Sequence, residues 1–69
     1  MQLRVEIERE QDGRWLADVP DLPGVMAYGK TREEAITNVK VLALRVIADE
    51  IAHGERPPDA ADALFAVAA

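Results

Sequence analysis

Strict alternation of polar and apolar residues near the start of the chain most constrains its fold. In QLRVEIERE, residues 2–10, apolar side chains occupy positions 3, 5 and 7, and charged or polar side chains lie between them. A period of two over this length predicts a β-strand with one buried and one solvated face. We therefore expect a sheet whose acidic outer face meets solvent.

The following segments extend this sheet. Asp12-Gly13 is a strong hairpin signal because glycine tolerates positive φ, and WLADV, residues 15–19, then reads as an antiparallel second strand. The corner VPDLPGV, residues 19–25, ends that strand because its prolines donate no backbone hydrogen bond. VMAYG, residues 25–29, is predicted as a short third strand.

One long helix is predicted after the strands. Thr31-Arg32-Glu33-Glu34 matches a capping box, in which the Thr31 hydroxyl accepts from the Glu34 amide and the Glu34 carboxylate accepts from the Thr31 amide. The helix is expected to run to about His53, because Gly54 and Pro57-Pro58 follow it.

The apolar residues of this helix form two stripes. A wide stripe is expected to cover the sheet: Ala35, Ile36, Val39, Leu42, Ala43, Val46 and Ile47. A second stripe lies on nearly the opposite side and is our predicted oligomer interface: Val41, Leu44, Ala48 and Ile51. A three-stranded sheet covers only one side of a helix, so the second stripe needs another cover. That cover is a second subunit, a partner, or the C-terminal segment of the chain folded back.

The C-terminal segment DALFAVAA, residues 62–69, is ambiguous. Its alanines favour helix, whereas Leu64, Phe65 and Val67 after a Pro-Pro break suit a short last strand. Local sequence alone does not decide between them.

Length and charge narrow the class of protein. The 69 residues are expected to form a single domain, residues 1–69, and the absence of cysteine makes self-association a natural source of stability. The formal net charge of −5 argues against direct nucleic-acid binding and favours a basic protein partner. With no signal-peptide pattern and no membrane-length apolar run, the chain is expected to be cytoplasmic.

No catalytic constellation is apparent in the sequence. Serine and cysteine are absent, and the single histidine, His53, lies where it would cap or flank the helix end. Glu6, Glu8, Glu10 and Asp18 raise the alternative of a metal-dependent nuclease, but alternating strand acids are typical of a solvated face. We expect a protein that is not an enzyme and has no cofactor and no bound metal.

The chain resembles the HicB family of antitoxins in three segments that follow the family's order. These segments are D-G-R-W-L-A-D-V-P-D-L-P-G-V, Y-G-K-T-R-E-E-A and H-G-E-R-P-P. The resemblance spans residues 3–59, and its most specific part is the V-P-D-L-P-G corner. Val25 stands where the family often has cysteine.

This resemblance implies an α+β, two-layer fold of truncated ribonuclease H-like type, ordered β-β-β-α-β, with a short last strand at residues 63–68. It implies no ribonuclease H activity. It also implies a partner, because HicB proteins bind and silence HicA toxins, which are small basic mRNA-cleaving proteins. Many family members carry a C-terminal DNA-binding domain, for which this chain has no room, so autorepression by direct DNA binding is not expected.

Two functions follow as hypotheses. The first is a HicB-like antitoxin module that inhibits a HicA-type toxin by occlusion, and the second is an orphan homo-oligomer of the same fold with an unknown ligand. We interpret VPDLPGV as a rigid connector that presents Asp21 and Leu22 outward, although a purely architectural role is the alternative. The predicted partner-binding residues are Glu6, Glu8, Asp21 and Leu22.

Overall fold

The fold is a three-stranded antiparallel sheet with one long helix packed on one of its faces. The computed structural model describes residues 3–56 together with residues 65, 66 and 68. The strands follow the order β1-β2-β3 in the sheet. The elements are β1 (Glu6–Arg9), β2 (Trp15–Asp18), β3 (Met26–Gly29) and α1 (Arg32–Ala52). The predicted α+β class and the order of these four elements are confirmed.

The predicted fourth strand at residues 63–68 lies mostly outside the described residues. Residues 65, 66 and 68 have no regular secondary structure.

Strand β1 is shorter than the alternating pattern predicts. The ladder with β2 pairs Glu6 with Asp18 and Arg9 with Trp15. Continuing that register would place Arg4 opposite Pro20, which has no amide hydrogen to donate, so the ladder stops. The alternation nevertheless persists before the ladder, where Leu3 and Val5 are half-buried against the core.

The turn between β1 and β2 confirms the hairpin predicted from Asp12-Gly13. The Gly13 amide donates to the Glu10 carbonyl (3.0 Å), and Gly13 has a φ of 91°. This is a three-residue hairpin loop with glycine at the left-handed position. The Asp12 carboxylate accepts from the Arg14 amide (3.0 Å) and from the Arg14 guanidinium (2.7 Å).

The corner VPDLPGV consists of two consecutive β-turns. The Leu22 amide donates to the Val19 carbonyl (2.9 Å), and the Val25 amide donates to the Leu22 carbonyl (3.0 Å). In the second turn Pro23 and Gly24 occupy the central positions, and the Gly24 φ of 83° is the geometry of a type II turn. The Val19 amide also donates to the Val25 carbonyl (3.0 Å), which closes the corner on itself.

The expectation that Leu22 faces solvent is wrong. Its side chain is only 3% exposed and joins Val19 and Val25 in the core cluster, whereas Asp21 is exposed as expected. Two short turns alternate the direction of successive side chains, so the apolar residues at the start, middle and end of the corner all point inward. The corner therefore anchors the end of the sheet to the core.

The helix begins at a cap that differs from the predicted capping box in one bond. The Glu34 amide donates to the Thr31 hydroxyl (3.0 Å), as predicted. The Glu34 carboxylate, however, accepts from the Lys30 amide (3.1 Å) and not from the Thr31 amide. The side chain of Glu34 is long enough to reach the amide of Lys30 or that of Thr31. Here the extended backbone of Thr31 brings the Lys30 amide into position.

The helix ends close to the predicted residue. His53 is the C-cap, its amide donates to the Asp49 carbonyl (3.0 Å), and Gly54 follows with a φ of 73°. The His53 ring nitrogen Nδ1 lies 2.8 Å from the same carbonyl oxygen. The prediction that His53 caps or flanks the helix end is confirmed, and of these two roles it is the C-cap.

The first stripe of the helix covers the sheet as predicted. Its central residues are buried: Ala35, Val39, Ala43 and Ile47. Strand β3 approaches the helix closely at Gly29, where an added Cβ would lie 2.8 Å from the Ala35 Cα. Only glycine at this position permits such an approach between the helix and the strand.

Candidate protein-binding face of the sheet

The face of the sheet opposite the helix is uncovered in the described part of the chain. The strand register builds it from two cross-strand rows. One row is Glu6, Asp18 and Met26, and the other is Glu8, Leu16 and Tyr28. Since side chains alternate along each strand, all six project away from the helix. We call these six residues the open face.

The open face divides into an acidic side and an apolar side. Carboxylates from Glu6 and Glu8 lie on the edge strand β1, and Asp18 lies beside them on β2. Met26 and Tyr28, on β3, are 49% and 46% exposed, which is high for large apolar side chains. The face is therefore amphipathic across the strands, with its charge along one edge and its apolar surface along the other.

Two arginines modify this charge pattern. Arg4 Nε lies 3.6 Å from Glu6 Oε1, with both side chains more than half exposed. The Arg14 guanidinium lies over the Tyr28 ring at 4.3 Å from its centroid, which is a cation–π contact. An exposed ion pair contributes little to stability, so the Glu6 carboxylate is readily available to another partner.

The structure places the four predicted partner-binding residues in different environments. Glu6 and Glu8 are exposed on the open face, and Asp21 is exposed in the corner beyond the end of β2. Leu22 is buried, so it offers no side-chain surface to a partner without disrupting the core.

Sequence reasoning missed the other half of this face. The sequence pattern places Asp18 among the acids of a solvated face, but the predicted contact surface includes neither Asp18 nor Leu16, Met26 and Tyr28. The alternation of WLAD and MAYG would have placed these residues on the open face once the registers of the two hairpins were known.

The acidic residues on β1 have a second consequence, because charge on an edge strand opposes edge-to-edge aggregation.

The second stripe of the helix is partly exposed. Val41 and Leu44 are 43% and 53% exposed, and Ala48 is also exposed. Ile51 is half-buried and packs against the core, so it lies between the second stripe and the buried side of the helix.

Within residues 3–56 and the three described residues beyond them, no group of three His, Asp or Glu side chains is arranged to hold a metal ion. In the same part of the chain, no helix has the length and apolar character needed to cross a membrane.

Comparison with known proteins finds a relative that matches most of the chain. UPF0150 protein Ta0767 of Thermoplasma acidophilum is 36% identical over 58 residues, which cover 84% of this chain and 84% of the relative. No family model matches the chain, and no solved structure matches it. Identity at this level over nearly the full length of both proteins shows common descent. The chain therefore belongs to the UPF0150 family.

Proposed function

We propose that this protein is a HicB-like antitoxin module that binds a small basic mRNA-cleaving toxin of HicA type and inhibits it by occlusion. The observation that carries the proposal is the open face, where three carboxylates border exposed apolar side chains. The HicB-like corner and helix start support the same assignment, as does membership of UPF0150.

The charge of the open face suits a partner that binds RNA. A protein that binds RNA presents basic side chains to the phosphates, and those side chains are attracted to Glu6, Glu8 and Asp18. When these carboxylates pair with the basic side chains of the toxin, they block the surface that the toxin needs to bind its RNA substrate. Attraction between opposite charges also speeds the encounter of the two proteins.

The apolar side of the open face supplies the remaining part of an interface. Protein interfaces combine an apolar centre, often containing tyrosine and methionine, with a polar rim. Met26 and Tyr28 match the centre, and the acids on β1 match the rim. These side chains project from paired strands, so little conformational entropy is lost when a partner binds.

Inhibition by occlusion requires no catalytic group in this protein. The sequence has neither serine nor cysteine, and His53 is committed to the end of the helix. We accordingly propose that the protein is not an enzyme.

Binding measurements with charge-reversed variants test the proposal. The tagged protein is used to recover a small basic protein from its native lysate, and the purified pair is then titrated by calorimetry. Glu6→Lys combined with Glu8→Lys is expected to weaken binding at least about tenfold, equivalent to about 1.4 kcal/mol. Glu55→Lys, a charge reversal beyond the helix and off the open face, is the control and is expected to change little.

Two results contradict the antitoxin proposal. One is that no small basic protein is recovered, and the other is that reversing both acids leaves the affinity unchanged. Recovery of the protein alone favours the second hypothesis, an orphan homo-oligomer of the same fold. The exposed Val41, Leu44 and Ala48 of the second stripe are the observation in its favour.

A further inference from the structure

Tyr28 is an exposed residue that two other parts of the chain hold in place. It is 46% exposed on the open face, and the Arg14 guanidinium carbon Cζ lies 4.3 Å from the centroid of its ring. Its backbone carbonyl accepts from Asn38 Nδ2 of helix α1 at 2.9 Å. The hairpin and the helix therefore fix both the ring and the backbone of this one residue.

The guanidinium over the ring is itself fixed by the hairpin. Arg14 Nε donates to the Asp12 carboxylate at 2.7 Å, and the Arg14 amide donates to the same carboxylate at 3.0 Å. The Glu10 amide donates to the Arg14 carbonyl at 2.7 Å, which continues the β1–β2 ladder by one pair. The backbone and the guanidinium of Arg14 are thus both held while the guanidinium makes a cation–π contact with the ring.

The hydrogen bond from Asn38 acts on the outer edge of β3. The Val19 amide donates to the Val25 carbonyl, which continues the β2–β3 ladder by one pair. Because consecutive residues of an antiparallel strand point their backbone groups to opposite sides, the Tyr28 carbonyl faces away from β2. Asn38 satisfies this carbonyl and ties the middle of β3 to the helix.

The stability of the fold does not account for this arrangement. Exposed ion pairs contribute little to folding, and exposed cation–π contacts contribute only slightly more. What the contacts restrict is the freedom of an exposed ring. Ordering a mobile side chain in an interface weakens binding by about two- to tenfold, and a ring that is already in position avoids that loss. Tyrosine is also enriched among the few residues that carry most of the binding energy of an interface.

We propose that Tyr28 is the anchor residue of the partner interface and that Arg14, held by Asp12, positions its ring before the partner binds. This inference rests on the proposed function. The partner surface that fits is an apolar recess that takes Tyr28 together with the neighbouring Met26. Basic side chains border this recess on the side that meets Glu8 of β1.

The direction of one change in affinity separates positioning from charge. Arg14→Ala removes a positive charge beside a face that meets a basic partner, so charge alone predicts tighter binding. Positioning predicts binding about two- to tenfold weaker, measured by calorimetry against the purified basic protein recovered with this chain. Arg45→Ala, which removes an exposed charge from helix α1 away from the open face, is the control and is expected to leave the affinity unchanged.

A double-mutant cycle tests whether Arg14 acts through the ring. Tyr28→Leu keeps an apolar side chain in β3 but has no ring, and it is expected to weaken binding at least about tenfold. In that background Arg14→Ala is expected to cause no further loss, because no ring is left to position. In the free protein, proton NMR is expected to show a ring-current shift of the Arg14 side-chain signals that disappears in Tyr28→Leu. Urea denaturation of each variant checks that the fold is intact.

Three results overturn the proposal. Arg14→Ala binds as tightly as the unmodified protein or more tightly, or it weakens Tyr28→Leu as much as it weakens the unmodified protein, or the ring-current shift is absent. Each of these leaves the proposed function standing as long as Glu6→Lys combined with Glu8→Lys weakens binding. Failure of the proposed function has a different signature: no basic protein is recovered, or reversing the two acids leaves the affinity unchanged. This inference then falls with it.

Discussion

Replacing Leu22 with alanine tests whether the VPDLPGV corner is a structural anchor or a contact surface. Leu22 is 3% exposed and packs in the same cluster as Val19 and Val25. Truncating a buried leucine to alanine costs about 2–5 kcal/mol, because apolar contacts are lost and a cavity remains. The backbone turns on either side of Leu22 are closed by hydrogen bonds, so the corner has little freedom to collapse into that cavity.

A cost of this size is a large fraction of the stability of so small a domain. At about 0.05–0.15 kcal/mol per residue, a chain of 69 residues has a free energy of unfolding of about 3–10 kcal/mol. A loss of about 3 kcal/mol lowers the melting temperature by about 12–24 °C. Leu22→Ala is therefore expected to be partly unfolded at temperatures where the unmodified protein is folded.

The neighbouring Asp21 provides a matched control within the same corner. Its side chain is exposed, so Asp21→Ala is expected to change the free energy of unfolding by less than about 0.5 kcal/mol. Urea denaturation followed by fluorescence of Trp15, the single tryptophan, measures both variants. The reasoning fails if Leu22→Ala costs less than 1 kcal/mol, or if the two variants are equally destabilised.

Three other perturbations test local features of the fold. Gly29→Ala places a Cβ 2.8 Å from the Ala35 Cα and is expected to cost about 1–3 kcal/mol in urea denaturation, so an unchanged midpoint would disprove this close approach. Thr31→Ala removes the acceptor for the Glu34 amide and is expected to cost about 1 kcal/mol, whereas Thr31→Ser, which keeps the hydroxyl, should melt close to the unmodified protein. The Arg14 backbone amide, with help from the guanidinium, lowers the pKa of Asp12 below its ordinary value of 3.8. Because this carboxyl titrates lower in the folded state, its contribution to stability is present above that ordinary value and is lost as the pH falls through the folded pKa. Arg14→Ala is expected to raise the Asp12 pKa part of the way back in a carbon-13 NMR titration, and no movement would contradict the assigned contact.

The elements of the fold were predictable because each has a strong local cause. Alternation in residues 3–8 placed β1, Asp12-Gly13 placed its turn, and Thr31 placed the start of the helix. The start of β1 was less predictable, since it depends on Pro20 occupying the position opposite Arg4. Only the register between the two strands reveals that position.

The candidate site was predictable only in part, for a related reason. The alternating sequence pattern alone predicts that the acidic residues of β1 lie on the outer face of the sheet. Which residues of β2 and β3 lie beside them depends on two registers, so Asp18, Met26 and Tyr28 joined the face only in the structure. The burial of Leu22 follows from two consecutive turns, a geometry that the prolines permit but do not by themselves specify.

The central claim is that the open face inhibits a basic RNA-cleaving protein by covering it. The most direct measurement is cleavage of a test mRNA by the purified basic protein recovered with this chain, as increasing amounts of this chain are added. The account predicts that cleavage stops near one-to-one stoichiometry and that the Glu6→Lys, Glu8→Lys variant leaves cleavage largely intact. Cleavage that continues with excess unmodified protein, or that the variant suppresses equally well, would contradict the account.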